Sequence, residues 1–240
     1  MKKRLRISFI INIVLLTSLI TVIIQTNSFA HMKKQIDKKT TASQSDVLRP
    51  AHYEQRQTLF ERLAVSKEST VMLGDSMILY NEWAEEFPVD PVLNRGIGGD
   101  TTFGLLKRLD TITSSQPKRI VLMIGINDIA IGFTEKQTLT NYDNILTKIE
   151  QKSPNTQIVI TSVLPVNNNL YGDRVHNSQV NKLNEGLQQL ASKHQISMVN
   201  IYDEFLKGNE LDPKYTRDGL HLNGEGYAIW VRALKPYMGK

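Results

Sequence analysis

Arg119-Ile120-Val121-Leu122-Met123-Ile124, followed by Gly125-Ile126-Asn127-Asp128, is the stretch that decides the fold. Its apolar run has no polar alternation, the pattern of a strand covered on both faces. Four further short runs share its β-rich character: Thr70 to Leu73, Val92 to Asn94, Gln157 to Val163 and Ile196 to Ile201. Helix-compatible stretches alternate with them, at Tyr53 to Ala64, Met77 to Glu86, Thr102 to Leu109, Leu139 to Lys152, Ser178 to Lys193 and Gly224 to Leu234. Strands that alternate with helices predict an α/β fold, a parallel sheet of five strands with helices on both faces. Pro117, Pro154 and Pro165 fall between elements, where they disturb least.

That architecture fixes where chemistry belongs. In an open parallel sheet, ligands bind beyond the carboxyl ends of the strands. Gly74-Asp75-Ser76 follows the first run, Gly96-Ile97-Gly98-Gly99-Asp100 the second and Gly125-Ile126-Asn127-Asp128 the third. Leu164-Pro165-Val166-Asn167-Asn168-Asn169 follows the fourth and reads as a surface loop bordering the same edge. Asp218-Gly219-Leu220-His221 precedes the last helix, which can return it to that edge.

A serine hydroxyl needs an imidazole to take its proton and a carboxylate to hold that imidazole in the right tautomer. Ser76, His221 and Asp218 supply the three groups, and the spacing of three between Asp218 and His221 suits one turn of helix-like backbone. Of the five histidines, His31, His52, His176 and His194 read as surface or satisfied polar residues. Taken alone, Ser76 reads as a helix N-cap. It is not on the elbow Gly-x-Ser-x-Gly, because Ile78 stands where the second glycine would be. The glycine run is not a dinucleotide loop either, since Thr101 occupies the last glycine position of Gly-x-Gly-x-x-Gly. Its glycines suit a tight turn, capped by Asp100 or Thr101, or a backbone N–H that approaches an oxyanion closely. Asn127 reads as a turn residue or as a side-chain amide donor to the same charge.

The 240 residues carry a formal net charge of +5, but its source is the amino-terminal part. Residues 1–49 hold nine Lys or Arg and two acids, a net of +7, and the remainder holds 20 bases and 22 acids, a net of −2. The basic balance therefore gives no reason to expect a nucleic-acid partner. Lys2-Lys3-Arg4-Leu5-Arg6 precedes 18 uncharged residues, Ile7 to Ile24, so residues 1–30 read as a signal peptide or an amino-terminal membrane anchor. Ser28-Phe29-Ala30 suits cleavage, while the length of the run favours a retained anchor. Residues 31–50 read as a flexible linker and 51–240 as the folded domain, on the extracellular face of the membrane or secreted. The chain has no cysteine, hence no disulfide and no thiolate metal site.

Four short blocks, in this order and spacing, carry a family resemblance: Gly74-Asp75-Ser76, Gly96-Ile97-Gly98-Gly99-Asp100, Gly125-Ile126-Asn127-Asp128 and Asp218-Gly219-Leu220-His221. From about Tyr53 to Met238 the chain resembles the SGNH hydrolases, also called GDSL-type esterases and lipases. Met77 stands where the fullest form of the first block has leucine, a swap of similar volume. The resemblance implies a three-layer α/β/α domain of flavodoxin-like strand order. It implies Ser76 as nucleophile, His221 as general base and then acid, and Asp218 as its orienting partner. The oxyanion donors it implies are the Ser76 N–H, the Asn127 side chain and the Gly99 N–H, chosen because Gly99 directly precedes Asp100-Thr101, with Gly98 as the fallback. It implies no metal and no organic cofactor. The substrates it implies are small acyl esters, acetylated sugars or lysolipids, and the domain's outward position points to envelope glycans or lipids. Two other readings stand beside hydrolysis: acyl transfer to an envelope polysaccharide, and a glycan-binding module that keeps the fold without the chemistry.

Overall fold

The computed structural model describes residues 52–239. The expected targeting segment 1–30 and linker 31–50 lie outside the described residues. In chain order the elements are α1 (His52–Arg62), β1 (Thr70–Gly74), α2 (Ser76–Leu79), α3 (Trp83–Glu86), β2 (Val92–Gly96), α4 (Thr102–Arg108), α5 (Asp110–Thr113) and β3 (Arg119–Met123). They continue with α6 (Ile126–Ala130), α7 (Glu135–Lys152), β4 (Gln157–Thr161), α8 (Asn168–Tyr171), α9 (Asn177–Lys193) and β5 (Ser197–Val199). A 3₁₀ turn (Tyr202–Phe205), the strands β6 (Leu206–Lys207) and β7 (Glu210–Leu211), α10 (Gly224–Leu234) and a second 3₁₀ turn (Lys235–Tyr237) complete the chain.

Strands β1 to β5 form one parallel sheet in the order β2-β1-β3-β4-β5, the flavodoxin-like arrangement. Its layers follow from strands that are apolar on both sides. In β3, Ile120 and Leu122 join a core with Leu105, Tyr142, Ile145, Leu183 and Leu187 from α4, α7 and α9. Val121 and Met123 join the opposite core, with Met77, Ile78, Trp83, Tyr227 and Trp230 from α2, α3 and α10. In the second core the Trp83 ring meets Trp230 edge to face at 5.2 Å, and its indole N–H donates to the Ile78 carbonyl at 2.7 Å. Among the described residues, no helix is long and apolar enough to cross a membrane.

Register places the chemistry. Gly74 is level with Gly96 on one side and with Met123 on the other, so the segments after β1, β2 and β3 leave the sheet at the same edge. The chain turns to opposite sides of β1 and β3, which makes this the switch point where such sheets bind ligands.

The expected helix from Met77 to Glu86 is two short helices. The Asn94 side-chain amide donates to the carbonyls of Ile78, Leu79 and Asn81 at 2.9, 3.2 and 3.1 Å, taking acceptors that a continuing helix would need. The expected surface loop at 164–169 is also different, since Leu164, Val166 and Asn167 are buried. Asn177 accounts for this by donating to the Val166 carbonyl and accepting from the Val166 N–H, both at 2.8 Å.

Candidate active site

Ser76 begins α2 directly after β1, and Asp75 caps that helix by accepting from the Met77 N–H at 2.9 Å. The cap that the sequence offered to Ser76 is thus filled by its neighbour, and the serine hydroxyl is left for another partner. That partner is His221, whose Nε2 lies 3.0 Å from Ser76 Oγ. On the far side of the ring, His221 Nδ1 lies 2.6 Å from Asp218 Oδ2. Residues 145 apart in sequence are joined into one serine, histidine and aspartate chain.

The backbone between Asp218 and His221 is a turn and not the expected turn of helix. Asp218 Oδ1 accepts from the N–H groups of Leu220 and His221 at 3.0 and 2.8 Å, folding the segment around its own carboxylate. Gly219 holds φ +81°, and a side chain there would press within 2.6 Å of the Asn167 carbonyl oxygen, so the position requires glycine. The Asn167 N–H donates to the Gly219 carbonyl at 2.8 Å, which ties this turn to the loop after β4. Burial pushes the Asp218 carboxyl up. The bonds from the His221 ring and from the two N–H groups outweigh that and hold it down at about 2.

The segments after β2 and β3 are fastened to each other. Asn127 donates its side-chain amide to the Asp100 carbonyl at 2.9 Å. Asp128 accepts from the Thr102 N–H at 3.0 Å and from the Thr102 hydroxyl. Thr101 caps α4 by accepting from the Gly104 N–H, while Asp100 pairs with the buried Arg108 at 2.8 Å. Asn127 is therefore a bridge between two loops, and a primary amide that spends one hydrogen on Asp100 keeps a second. Among the described residues, the N–H groups of Ser76, Gly98 and Gly99 meet no acceptor.

Beneath this surface lie two carboxyls whose chemistry was not legible as such. Asp75 and Asp128 are fully buried, and burial together with the neighbouring Asp100 pushes both up to about 7 against the N–H groups they accept from. Sequence reasoning also missed Tyr80, whose ring packs edge-on against His221 with centroids 5.0 Å apart. Its spacing of four from Ser76 was the available signal. Asn94 enters the sequence reading only as the end of a strand run. A polar residue near the carboxyl end of a strand could have marked it.

A closely packed apolar cluster adjoins the site, formed by Met77, Met123, Ile126, Leu164, Pro165 and Leu220. Three of these directly neighbour Ser76, Asn127 and His221 in the chain. The cluster encloses no space large enough for a water molecule.

Residues 73–229 match the GDSL-like lipase/acylhydrolase family. The chain is similar to platelet-activating factor acetylhydrolase IB subunit alpha2 of Rattus norvegicus, 32% identical over 171 residues that cover 68% of this chain and 72% of that protein. It is similar to N-acylneuraminate cytidylyltransferase of Streptococcus agalactiae serotype V, 22% identical over 166 residues, and spans only 38% of that protein's length. Among solved structures it resembles a GDSL-like lipase from Bacteroides thetaiotaomicron VPI-5482, with 25% identity, a TM-score of 0.68 and coverage of 78% of this chain and 97% of that one.

Proposed function

The chain belongs to the GDSL-like lipase/acylhydrolase family and is a hydrolase, and from that premise we propose that it is a serine esterase which removes short acyl groups from alcohols. The observation that carries the proposal is the unbroken chain from Ser76 Oγ through the His221 ring to Asp218, at 3.0 and 2.6 Å.

In this mechanism Ser76 Oγ attacks the ester carbonyl carbon while His221 Nε2 accepts its proton. The imidazolium is held by the Asp218 carboxylate. The carbonyl oxygen, now an oxyanion, is met by the N–H groups of Ser76 and Gly99 and by the second amide hydrogen of Asn127. Collapse expels the alcohol, to which His221 returns the proton. A water deprotonated by the same ring then attacks the acyl-enzyme, and a second collapse releases the carboxylic acid and restores Ser76.

For the acyl group, the reading is a short one, acetyl above all, which the similarity to a protein named as an acetylhydrolase supports. For the alcohol, the reading is an acetylated sugar or a lysolipid of the cell envelope. This rests on the charged start and apolar run of residues 1–24, which would carry the domain outside the membrane.

A fluorophosphonate probe tests the nucleophile: the purified chain is labelled at Ser76 and Ser76→Ala is not, and labelling that survives the substitution would remove Ser76 from the chemistry. A series of p-nitrophenyl esters tests the short-acyl reading, with kcat/KM falling from acetate through butyrate to octanoate. A preference for octanoate would contradict it. Protease added to intact cells should reach the domain in a membrane-bound protein, whereas a mature chain starting at His31 would replace the anchor with secretion.

A further inference from the structure

Helix α1 precedes the segment matched to the family, yet its side chains grip the glycine turn after β2. Arg56 Nη2 donates to the Gly96 carbonyl at 3.2 Å, and His52 Nε2 lies 3.2 Å from the Gly98 carbonyl oxygen. The Tyr53 hydroxyl donates to the Gly104 carbonyl at 3.1 Å, one turn further on. The His52 contact differs in kind from the others. The Gly98 carbonyl and the Gly99 N–H are the two ends of one planar peptide group and point in opposite directions.

That peptide sits at the centre of a β-turn, Ile97 to Asp100, closed by the Asp100 N–H on the Ile97 carbonyl at 3.1 Å. Gly99, the third residue, has φ +73°, as a type II turn requires. Types I and II differ chiefly by a half-rotation of the central peptide. With glycine at both central positions, no Cβ opposes that rotation. It would exchange the directions of the Gly98 carbonyl and the Gly99 N–H. Something must therefore hold the peptide if the Gly99 N–H is to meet a charge that forms only during reaction.

We propose that His52 is a positioning residue for the oxyanion hole. Its Nε2–H, bonded to the Gly98 carbonyl, holds the central peptide of the turn in one orientation and polarises the Gly99 N–H at the other end of the same group. The inference rests on the reading of Gly99 as an oxyanion donor. It requires the tautomer in which Nε2 carries the proton.

The test uses the full chain and p-nitrophenyl acetate. His52→Ala lowers kcat about fivefold to tenfold, the scale of one neutral hydrogen bond, with KM within twofold and melting unchanged. His52→Gln, whose amide nitrogen reaches the position of Nε2, recovers most of the loss. Gly98→Ala offers a second route, because its Cβ would lie 2.7 Å from His52 Nε2 and push the ring away. It should cost the same as His52→Ala, and the double variant should be no worse than either single one. A kcat within twofold of wild type in His52→Ala, losses that multiply in the double variant, or no recovery with glutamine each overturn the role of His52. In those cases Ser76 is still labelled by fluorophosphonate and Asn127→Ala is still impaired. An unlabelled wild type overturns the esterase reading and this inference with it.

Discussion

Replacing Asp218 by asparagine changes one oxygen to an NH₂, and the surrounding bonds dictate which. Oδ1 accepts from the backbone N–H groups of Leu220 and His221, so the amide oxygen of the variant stays there. The NH₂ then occupies the Oδ2 position, 2.6 Å from His221 Nδ1 in the parent. It donates to that nitrogen, which forces the ring proton onto Nε2, facing Ser76 Oγ at 3.0 Å. A protonated Nε2 cannot act as base. Flipping the amide would restore the useful tautomer but would sacrifice two bonds to backbone N–H groups, each worth about 0.5–1.5 kcal/mol, so the flipped form is a minority. The expected fall in kcat is about 10⁴-fold, as in other triads with this exchange. Stability should change little. Depression of the Asp218 carboxyl from 3.8 to about 2 stabilises the fold above pH 3.8, and this contribution is lost as pH falls through about 2. It is fully present at neutral pH. That shift of about 1.8 pH units corresponds to roughly 2.5 kcal/mol, and solvent screening at a side chain 54% exposed reduces this to about 1 kcal/mol. The melting point should therefore drop by about 2–4 °C. Steady-state turnover of p-nitrophenyl acetate and calorimetry on one preparation read both numbers. A kcat loss below tenfold, with the variant folded, would refute the claim that Asp218 sets the tautomer.

Asn127→Ala should lower kcat about 10²–10³-fold with KM within a few-fold, as loss of one oxyanion donor does. If Asn127 only ties Asp100 in place, kinetics and calorimetry will instead show a lower melting point with near-normal turnover. The buried Asp75 binds its proton more tightly folded than unfolded, so its contribution to stability should be fully present below pH 3.8 and decline as pH rises towards about 7, at up to about 1.4 kcal/mol per pH unit for one such group. Calorimetry between pH 5 and 7 should show this decline in the wild type and a shallower one in Asp75→Asn; equal slopes would mean that Asp75 does not titrate there.

The sheet was legible because its strands are apolar enough to be covered on both faces. All five expected runs form strands, and the segments after the first three emerge together as the register requires. Ser76, His221 and Asp218 were legible as candidates from residue type, with their roles implied by the four-block resemblance, and the structure brings them together at 3.0 and 2.6 Å. What escaped was settled by side chains that act far from their own position. Asn94 splits the helix expected over Met77 to Glu86 by reaching carbonyls 13 to 16 residues away. The turn at Gly219 resembles a helical spacing in sequence, but Asp218 Oδ1 gathers the N–H groups that a helix would give to main-chain carbonyls. His52, 46 residues from Gly98, offered no local signal.

These long reaches share a logic that bears on how the site stays ordered. Each segment at the switch point is held by bonds from another segment, most of them from side chains. Asn94 on β2 holds the helix of Ser76, while Asn127 and Asp128 after β3 hold the turn and helix after β2. Asn167 after β4 holds Gly219 through its main chain. Loops of this kind cannot satisfy their own carbonyls and N–H groups by regular ladders, so polar side chains must do it, and burying those side chains is tolerable only when the bonds are made. The polar core beneath the site, with Asp75, Asp100 and Asp128 side by side, follows from that demand. Its cost is borne in stability at high pH, and its return is geometric: a hydroxyl 3.0 Å from an imidazole is kept there by bonds made elsewhere, before any substrate arrives.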